Sequence, residues 1–242
     1  MTTNTYAHKG NPLDTQQRGV DICFDHVGLR YGRNPEVFKD ISFSMAQGSL
    51  NFVTGPSGAG KTSLLKMMYL NLRPSRGLIS VFGQDCSRLQ PNSILALKRR
   101  MGIVLQNFQL VDHLSVFENV ALPLRVTGQK YEAYAGDVFS LLKWIGLGER
   151  IHALPATLSG GEAQRAAIAR AIIAKPDVLI ADEPTGNLDT EIGRRLIHLF
   201  TELHRQGSTV IIATHDRTLI TPDADILEVS HQTLIHKKGG AL

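Results

Sequence analysis

The stretch Gly55-Pro56-Ser57-Gly58-Ala59-Gly60-Lys61-Thr62-Ser63 decides how the rest of the chain is read. The apolar run at residues 50–54 before it has the make-up of a buried strand, and residues 63–69 after it favour a helix. Strand, glycine loop and helix, with G-x-x-x-x-G-K-[ST] at the turn, form a nucleotide phosphate site. The glycines let successive N–H groups turn inward as a nest for phosphate oxygens, and the helix N-terminus adds partial positive charge. Lys61 is expected to reach the β- and γ-phosphates, and the Thr62 hydroxyl to hold Mg²⁺.

Upstream, Val20, Ile22 and Phe24 alternate with polar residues, as do Ile41, Phe43 and Met45, a pattern of half-buried antiparallel strands. Glycine and proline between them, at Gly28, Gly32 and Pro35, mark a turn that carries Tyr31, which could stack on an adenine ring. Residues 1–19 are polar and are expected to be a disordered lead-in. Downstream, residues 78–82 read as a strand, 91–100 as a helix, 101–106 as an apolar run ending at Gln106, and 131–146 as a helix closed by Gly146. Residues of roughly 90–170 read as a mostly helical lobe inserted into an α/β core.

Three later segments carry polar groups at element ends. Leu158-Ser159-Gly160-Gly161-Glu162 opens an alanine-rich helix with a capping-box pattern, and its two glycines expose N–H groups as a second anion site. Residues 178–181 are an unbroken apolar run ending in Asp182 and Glu183, as a strand covered on both faces would be. Such a strand delivers its last residues to the crevice where α/β sheets bind ligands. Asp182 then suits the Mg²⁺ shell, and Glu183 can orient or deprotonate an attacking water. Residues 209–214 form one more buried strand, with His215 at its end within reach of the γ-phosphate or that water.

The 242 residues suffice for one large domain or a core with a lobe. Charged residues make up 20%, with 26 basic against 22 acidic, and the basic ones are scattered, which suits a solvated surface better than a nucleic-acid track. Cys23 and Cys86 match no metal or redox spacing and fit a reducing compartment as small buried hydrophobes. No apolar stretch approaches the roughly 18 residues needed to span a bilayer. A membrane role would have to come through a partner.

Jointly, the loop at 55–62, Gln106, the segment 158–162, Asp182-Glu183, Asn187-Leu188-Asp189 and His215 resemble the ATPase subunits of ABC systems in order and spacing, over about residues 20–235. The resemblance implies an α/β fold: a P-loop NTPase (RecA-like) core of ABC type with an N-terminal antiparallel β subdomain and an inserted helical subdomain, spanning 20–236 with a short tail at 237–242. It implies ATP and Mg²⁺ as cofactors, with Tyr31 stacked on adenine and residues 55–63 around the phosphates. Thr62, Gln106 and Asp182 would hold Mg²⁺. Glu183 would be the catalytic base, His215 would position the γ-phosphate, and Gln106 would sense the partner. Ser159, Gly160, Gly161, Glu162 and Asp189 would act on ATP held by a second copy, giving a homodimer closed by ATP.

Within the family, residues 108–126, 72–77 and 181–187 are most similar to the cell-division ATPases. That implies an FtsX-like integral membrane subunit, further division proteins, no nucleic acid, and a place on the cytoplasmic side of the bacterial inner membrane. The ATP cycle would then pass a shape change to cell-wall hydrolases outside, with residues 108–126 gripping the membrane subunit. Lipoprotein-release and macrolide-export ATPases have similar segments, and a division scaffold with little turnover is the third reading. Ala163 and Asn107 depart from the family pattern without removing a phosphate contact.

Overall fold

In the computed structural model, which describes residues 19–186 and 190–239, two sheets face each other across the helix that follows the glycine loop. The first sheet is antiparallel, ordered β2-β1-β4-β5, from β1 (Val20–Arg30), β2 (Glu36–Ala46), β4 (Arg76–Val81) and β5 (Gln84–Asp85). The second runs β10-β9-β3-β8-β7-β6. Its strands β3 (Leu50–Thr54), β6 (Met101–Val104), β7 (Val178–Asp182), β8 (Thr209–Ala213) and β9 (Asp225–Ser230) are parallel, and β10 (Thr233–Lys237) returns antiparallel on the edge. Every residue of β3, β7 and β8 is buried, which explains their unbroken apolar runs. The antiparallel region, the mixed sheet and the helical insertion agree with the fold expected from the sequence.

Helix α1 (Lys61–Met68) buries Leu64, Leu65, Met67 and Met68 between the sheets, against Phe24, Phe38 and Met45 on one side and Val53 and Ile211 on the other. The opposite face of the parallel sheet is covered by α5 (Gly160–Ile172) and α6 (Thr190–Arg205), through Ile168, Ile172, Leu196 and Phe200 against Phe52 and Leu179. A third core joins α3 (Val116–Val126), α4 (Tyr131–Trp144) and the outward side of α5, where Ala166 and Ala169 let the helices approach closely. Among the described residues no helix is long and apolar enough to cross a membrane.

The sequence reading changes in three places. The first half of β1, from Asp21 to Phe24, is wholly buried instead of half-buried, because β1 is an interior strand whose start reaches the parallel sheet through Asp21. The stretch read as a helical lobe from about 90 opens with the expected helix, α2 (Pro91–Arg99), but then contains β6, which pairs with β7 inside the parallel sheet, so the inserted helices α3 and α4 begin only after Gln106. The second half of α5 likewise belongs to the sheet's cover. The apolar run at 101–104 was too short for periodicity to separate strand from helix. Cys23 is buried but Cys86 is only half-buried, and burial pushes the Cys86 thiol up to about 11. The disorder expected before residue 20 falls on residues outside the described ones, apart from Gly19.

Asp21 joins the sheets. Its carboxylate accepts a hydrogen bond from Thr209 Oγ1 at the start of β8, and that same oxygen accepts from the Gly48 N–H at 2.8 Å. Burial pushes the Asp21 carboxyl above the ordinary aspartate range and Asp177 adds to it, while the Thr209 hydrogen bond and Arg100 oppose. A carboxyl raised on folding contributes stability that is complete below its unfolded pKa and lost as pH rises through the folded value. Asp21→Asn keeps an acceptor for Thr209 without the buried charge. It is expected to melt roughly 2–4 °C above the wild type near neutral pH, the shift about 1 kcal/mol gives in a chain of this size. That advantage should shrink on approach to pH of about 4, as calorimetry at several pH values would show.

Candidate functional site

Four neighbouring parallel strands end at one level: Val53 pairs with Ala213, Asp182 with Ala213, and Val104 with Ala181. The loops that leave those ends carry the phosphate loop after β3, His215 after β8, Asp182-Glu183 at β7 and Gln106 after β6. Thr62 and Asp182, 120 positions apart in the chain, meet because the sheet sets their strands' ends side by side.

The phosphate loop is fixed by two close approaches. Gly55 has φ +146°, and a Cβ there would sit 2.3 Å from the Val229 carbonyl oxygen. Gly60, at φ +107°, has the Val37 side chain 2.8 Å and the Phe38 ring 3.0 Å from where a Cβ would lie. Gly60 is also the N-cap of α1 and makes no side-chain cap, and the first turn holds no acid. The leading N–H groups of α1 therefore have neither an intrahelical acceptor nor a competing carboxylate. Lys61 Nζ donates to the Gly55 and Pro56 carbonyls at 2.9 and 3.2 Å, so it lies over the loop where a phosphate oxygen can take their place.

A cavity of about 260 Å³ is lined by Ser57, Gly58, Gly60, Lys61, Thr62, Ser63, Gln106, Asp182 and Glu183. Thr62 Oγ1 donates to Asp182 Oδ2 at 2.8 Å. Asp182 is 6% exposed, and burial pushes its carboxyl up; the Thr62 hydrogen bond opposes, the Glu183 charge adds, and Lys61 and Lys66 oppose. A divalent cation would relieve that burial, and a hydroxyl, a carboxylate and the Gln106 amide are hard oxygen donors that fit Mg²⁺. Among the described residues no three His, Cys, Asp or Glu side chains cluster as metal ligands. Such an ion would draw most of its shell from phosphate and water.

Glu183 sits at φ +50°, a left-handed conformation that costs a non-glycine residue on the order of 1–3 kcal/mol. Its N–H donates to the Ala213 carbonyl at 2.9 Å, tying the turn to β8. The side chain, mostly buried, places Oε2 2.9 Å from Nδ1 of the exposed His215. Tyr31 is 43% exposed and so belongs to no core; its hydroxyl lies 3.0 Å from Ser63 Oγ, which brings the ring to the start of α1.

The start of α5, read from sequence as a second anion site, stands apart from this cavity. Ser159 and Gly160 are exposed at the start of α5, and none of Ser159, Gly160, Gly161 or Glu162 lines the cavity. The capping box is formed: Glu162 N–H donates to Ser159 Oγ at 3.3 Å, and Ser159 N–H to Glu162 Oε2 at 2.8 Å. Arg150 Nε donates to the other oxygen at 3.0 Å. Both Glu162 oxygens are thus engaged within its own chain. Asn187, Leu188 and Asp189 lie outside the described residues.

Two polar residues of α5 were not singled out from the sequence. Gln164, 1% exposed, donates from Nε2 to the Pro184 carbonyl at 2.6 Å, next to Glu183. Arg170 donates to the Phe108 and Gln109 carbonyls just beyond Gln106. Gln164 was within reach of sequence reasoning, since with Ala167, Ile168 and Ala171 it forms an i, i+3, i+4, i+7 stripe. Arg170 reads as an ordinary solvated charge.

Comparison with known proteins bears on the family and the fold. The family model described as ABC transporter matches residues 38–186. The chain is 41% identical over 200 residues to "Cell division ATP-binding protein FtsE" of Escherichia coli (strain K12), covering 83% of this chain and 90% of that protein. Among solved structures, the dimeric bacterial ABC transporter cassette MJ0796 superposes with TM-score 0.85 at 27% identity, covering 91% of this chain and 100% of that one. The same cassette in a post-hydrolysis state bound to ADP and Pi superposes with TM-score 0.84 at 26% identity over the same shares.

The capping box gives a pH test. The Ser159 N–H, the Arg150 guanidinium and the Ser159 hydroxyl hold the Glu162 carboxyl at about 2. A depressed carboxyl contributes stability that is present above its ordinary pKa and lost as pH falls from there through about 2. Glu162→Gln is expected to lower the melting temperature at neutral pH. Its further decline across that acid window should be flatter than the wild type's in matched thermal melts.

Proposed function

The chain belongs to the ABC transporter family as an ATP-binding ATPase, and from that premise we propose that it is the ATPase of an FtsE-like division complex. In this reading two copies close on ATP and drive an FtsX-like integral membrane subunit, from the cytoplasmic face of the bacterial inner membrane. The observation that carries it is the pair of anion sites. One is built around Lys61 in the cavity, and the other lies at the start of α5, exposed at Ser159 and Gly160 and lining no part of that cavity. A second copy supplies what each lacks.

The residues divide the work by position. The amides of 57–62 and Lys61 hold the β- and γ-phosphates, and Tyr31 offers a ring to the base. Thr62, Asp182 and Gln106 would hold Mg²⁺, which when bound neutralises charge developing between the β- and γ-phosphates. Glu183 orients the attacking water and accepts its proton on the carboxylate, and His215, with Nδ1 2.9 Å from Oε2, keeps that carboxylate aimed. The helix dipole at Gly160 and Gly161 meets the γ-phosphate held by the other copy. Hydrolysis removes that anion bridge, and the pair opens.

The partner's seat is proposed on the inserted helices. Phe117, Tyr131, Tyr134 and Phe139 form an aromatic cluster with ring centroids 4.8–6.5 Å apart, and they line a depression of about 550 Å³ edged by Glu118, Arg125 and His152. Tyr131 is 52% and Phe139 38% exposed, the amphipathic make-up of an interface anchor.

Glu183→Gln is expected to bind ATP normally, lose roughly a hundredfold or more in turnover, and double in mass by light scattering when ATP is added. A protein that saturates with ATP yet stays monomeric at high concentration overturns the closed pair. Tyr131→Ala with Phe139→Ala should keep basal turnover and lose ATP-dependent capture of the membrane subunit. Recovery of an export permease with the Glu183→Gln protein would replace the division role and leave the site chemistry standing.

A further inference from the structure

Arg170 is a half-buried cation without an acid. Burial holds its guanidinium below the usual arginine range, and among the described residues no carboxylate pairs with it. Its two terminal nitrogens instead donate to two successive carbonyls, Nη2 to Phe108 at 2.9 Å and Nη1 to Gln109 at 2.8 Å. Those two residues hold the left-handed backbone, φ +58° and +45°, in a turn closed by Phe108 N–H to the Leu105 carbonyl and Gln109 N–H to the Asn107 carbonyl. Neither is glycine, so the turn needs an outside constraint to persist. A planar fork reaching two carbonyls supplies it, and an ammonium can satisfy such a pair only as a point charge.

The turn is the direct continuation of Gln106. On its far side the chain is fixed again by Asn119, 0% exposed. Asn119 Oδ1 accepts from the Val111 N–H at 2.7 Å, and Nδ2 donates to the Val111, Leu114 and Ser115 carbonyls. The segment from Gln106 to the start of α3 is therefore pinned at one end to α5 and at the other to α3. Among the described residues no side-chain hydrogen bond clamps Gln106 itself.

We propose that Arg170 is a positioning residue for hydrolysis: it fixes the 106–109 turn, and thereby Gln106, to the helix whose N-terminus faces the second copy's nucleotide. It touches neither nucleotide nor metal and acts through the turn. The seating of Gln106 in one copy and of Gly160-Gly161 against the other copy's phosphate then change together. This rests on the role given to Gln106 above.

The test pairs nucleotide-free hydrogen exchange with kinetics on the full chain, for Arg170→Lys, Arg170→Gln, Gln106→Ala and the double variant Arg170→Gln/Gln106→Ala. Without nucleotide, both Arg170 variants are expected to exchange amides 107–111 roughly fivefold or more faster, with α3 and β7 unchanged. With ATP, kcat should fall roughly tenfold or more and half-saturation should move to higher Mg²⁺, while ATP affinity measured without Mg²⁺ stays put. The double variant should lose no more than Gln106→Ala alone, because both act at one place. Losses that multiply in the double variant overturn the proposal, as does a lowered melting temperature with unchanged exchange at 107–111 and unchanged Mg²⁺ dependence. If Arg170→Gln does not fold, Arg170→Lys decides. A silent Gln106→Ala removes the role given to Gln106 and the proposed route with it. An impaired Gln106→Ala beside silent Arg170 variants removes only the proposal for Arg170.

Discussion

The constraint on which the structure depends is that β3, β8, β7 and β6 run parallel, buried, and end level with one another. A parallel strand cannot return through a tight turn, so each connection must cross over with a helix, and both faces of the sheet become covered. The backbone N–H and side-chain groups that leave the strand ends are then left on a single edge, pointing the same way. Lys61, Gln106, Asp182 and His215 share a site for that reason, and the hydrogen bond from Thr62 to Asp182 closes the ring between the loop of one strand and the last residue of another.

Around that edge the polar groups are poised against one another. Lys61 rests on loop carbonyls, Thr62 on Asp182, and Glu183 on His215. Each is a contact that phosphate, a divalent ion or water can take over with the same atoms. A site held ready in this way loses little in reorganisation when charge develops. The left-handed backbone at Glu183 fits this picture, since strain of that kind is kept only where the surroundings enforce it.

Helix α5 links the site to the rest of the molecule. Its start carries the segment proposed as the second anion site, Gln164 reaches the carbonyl beside Glu183, and Arg170 reaches the turn beyond Gln106. Its apolar side chains belong to two cores at once, Ile168 and Ile172 under the sheet and Ala166 and Ala169 against α3 and α4. An element packed in both bodies moves with both, so nucleotide state and the aromatic depression on the inserted helices have a common part between them.

The residues 55–63 determined from sequence alone that a strand, a phosphate loop and a helix stand together, because the loop's chemistry needs glycine and a cation at fixed offsets. The apolar runs at 178–181 and 209–213 likewise declared buried strands, and Ser159 with Glu162 declared a helix start, because those signals are local. What only the tertiary structure decided is which of these ends are neighbours, that residues 101–104 join the sheet and not the helices, and that Arg170 is spent on two carbonyls. Strand order and the partner of a long side chain depend on atoms distant in sequence, and no local period or composition encodes them.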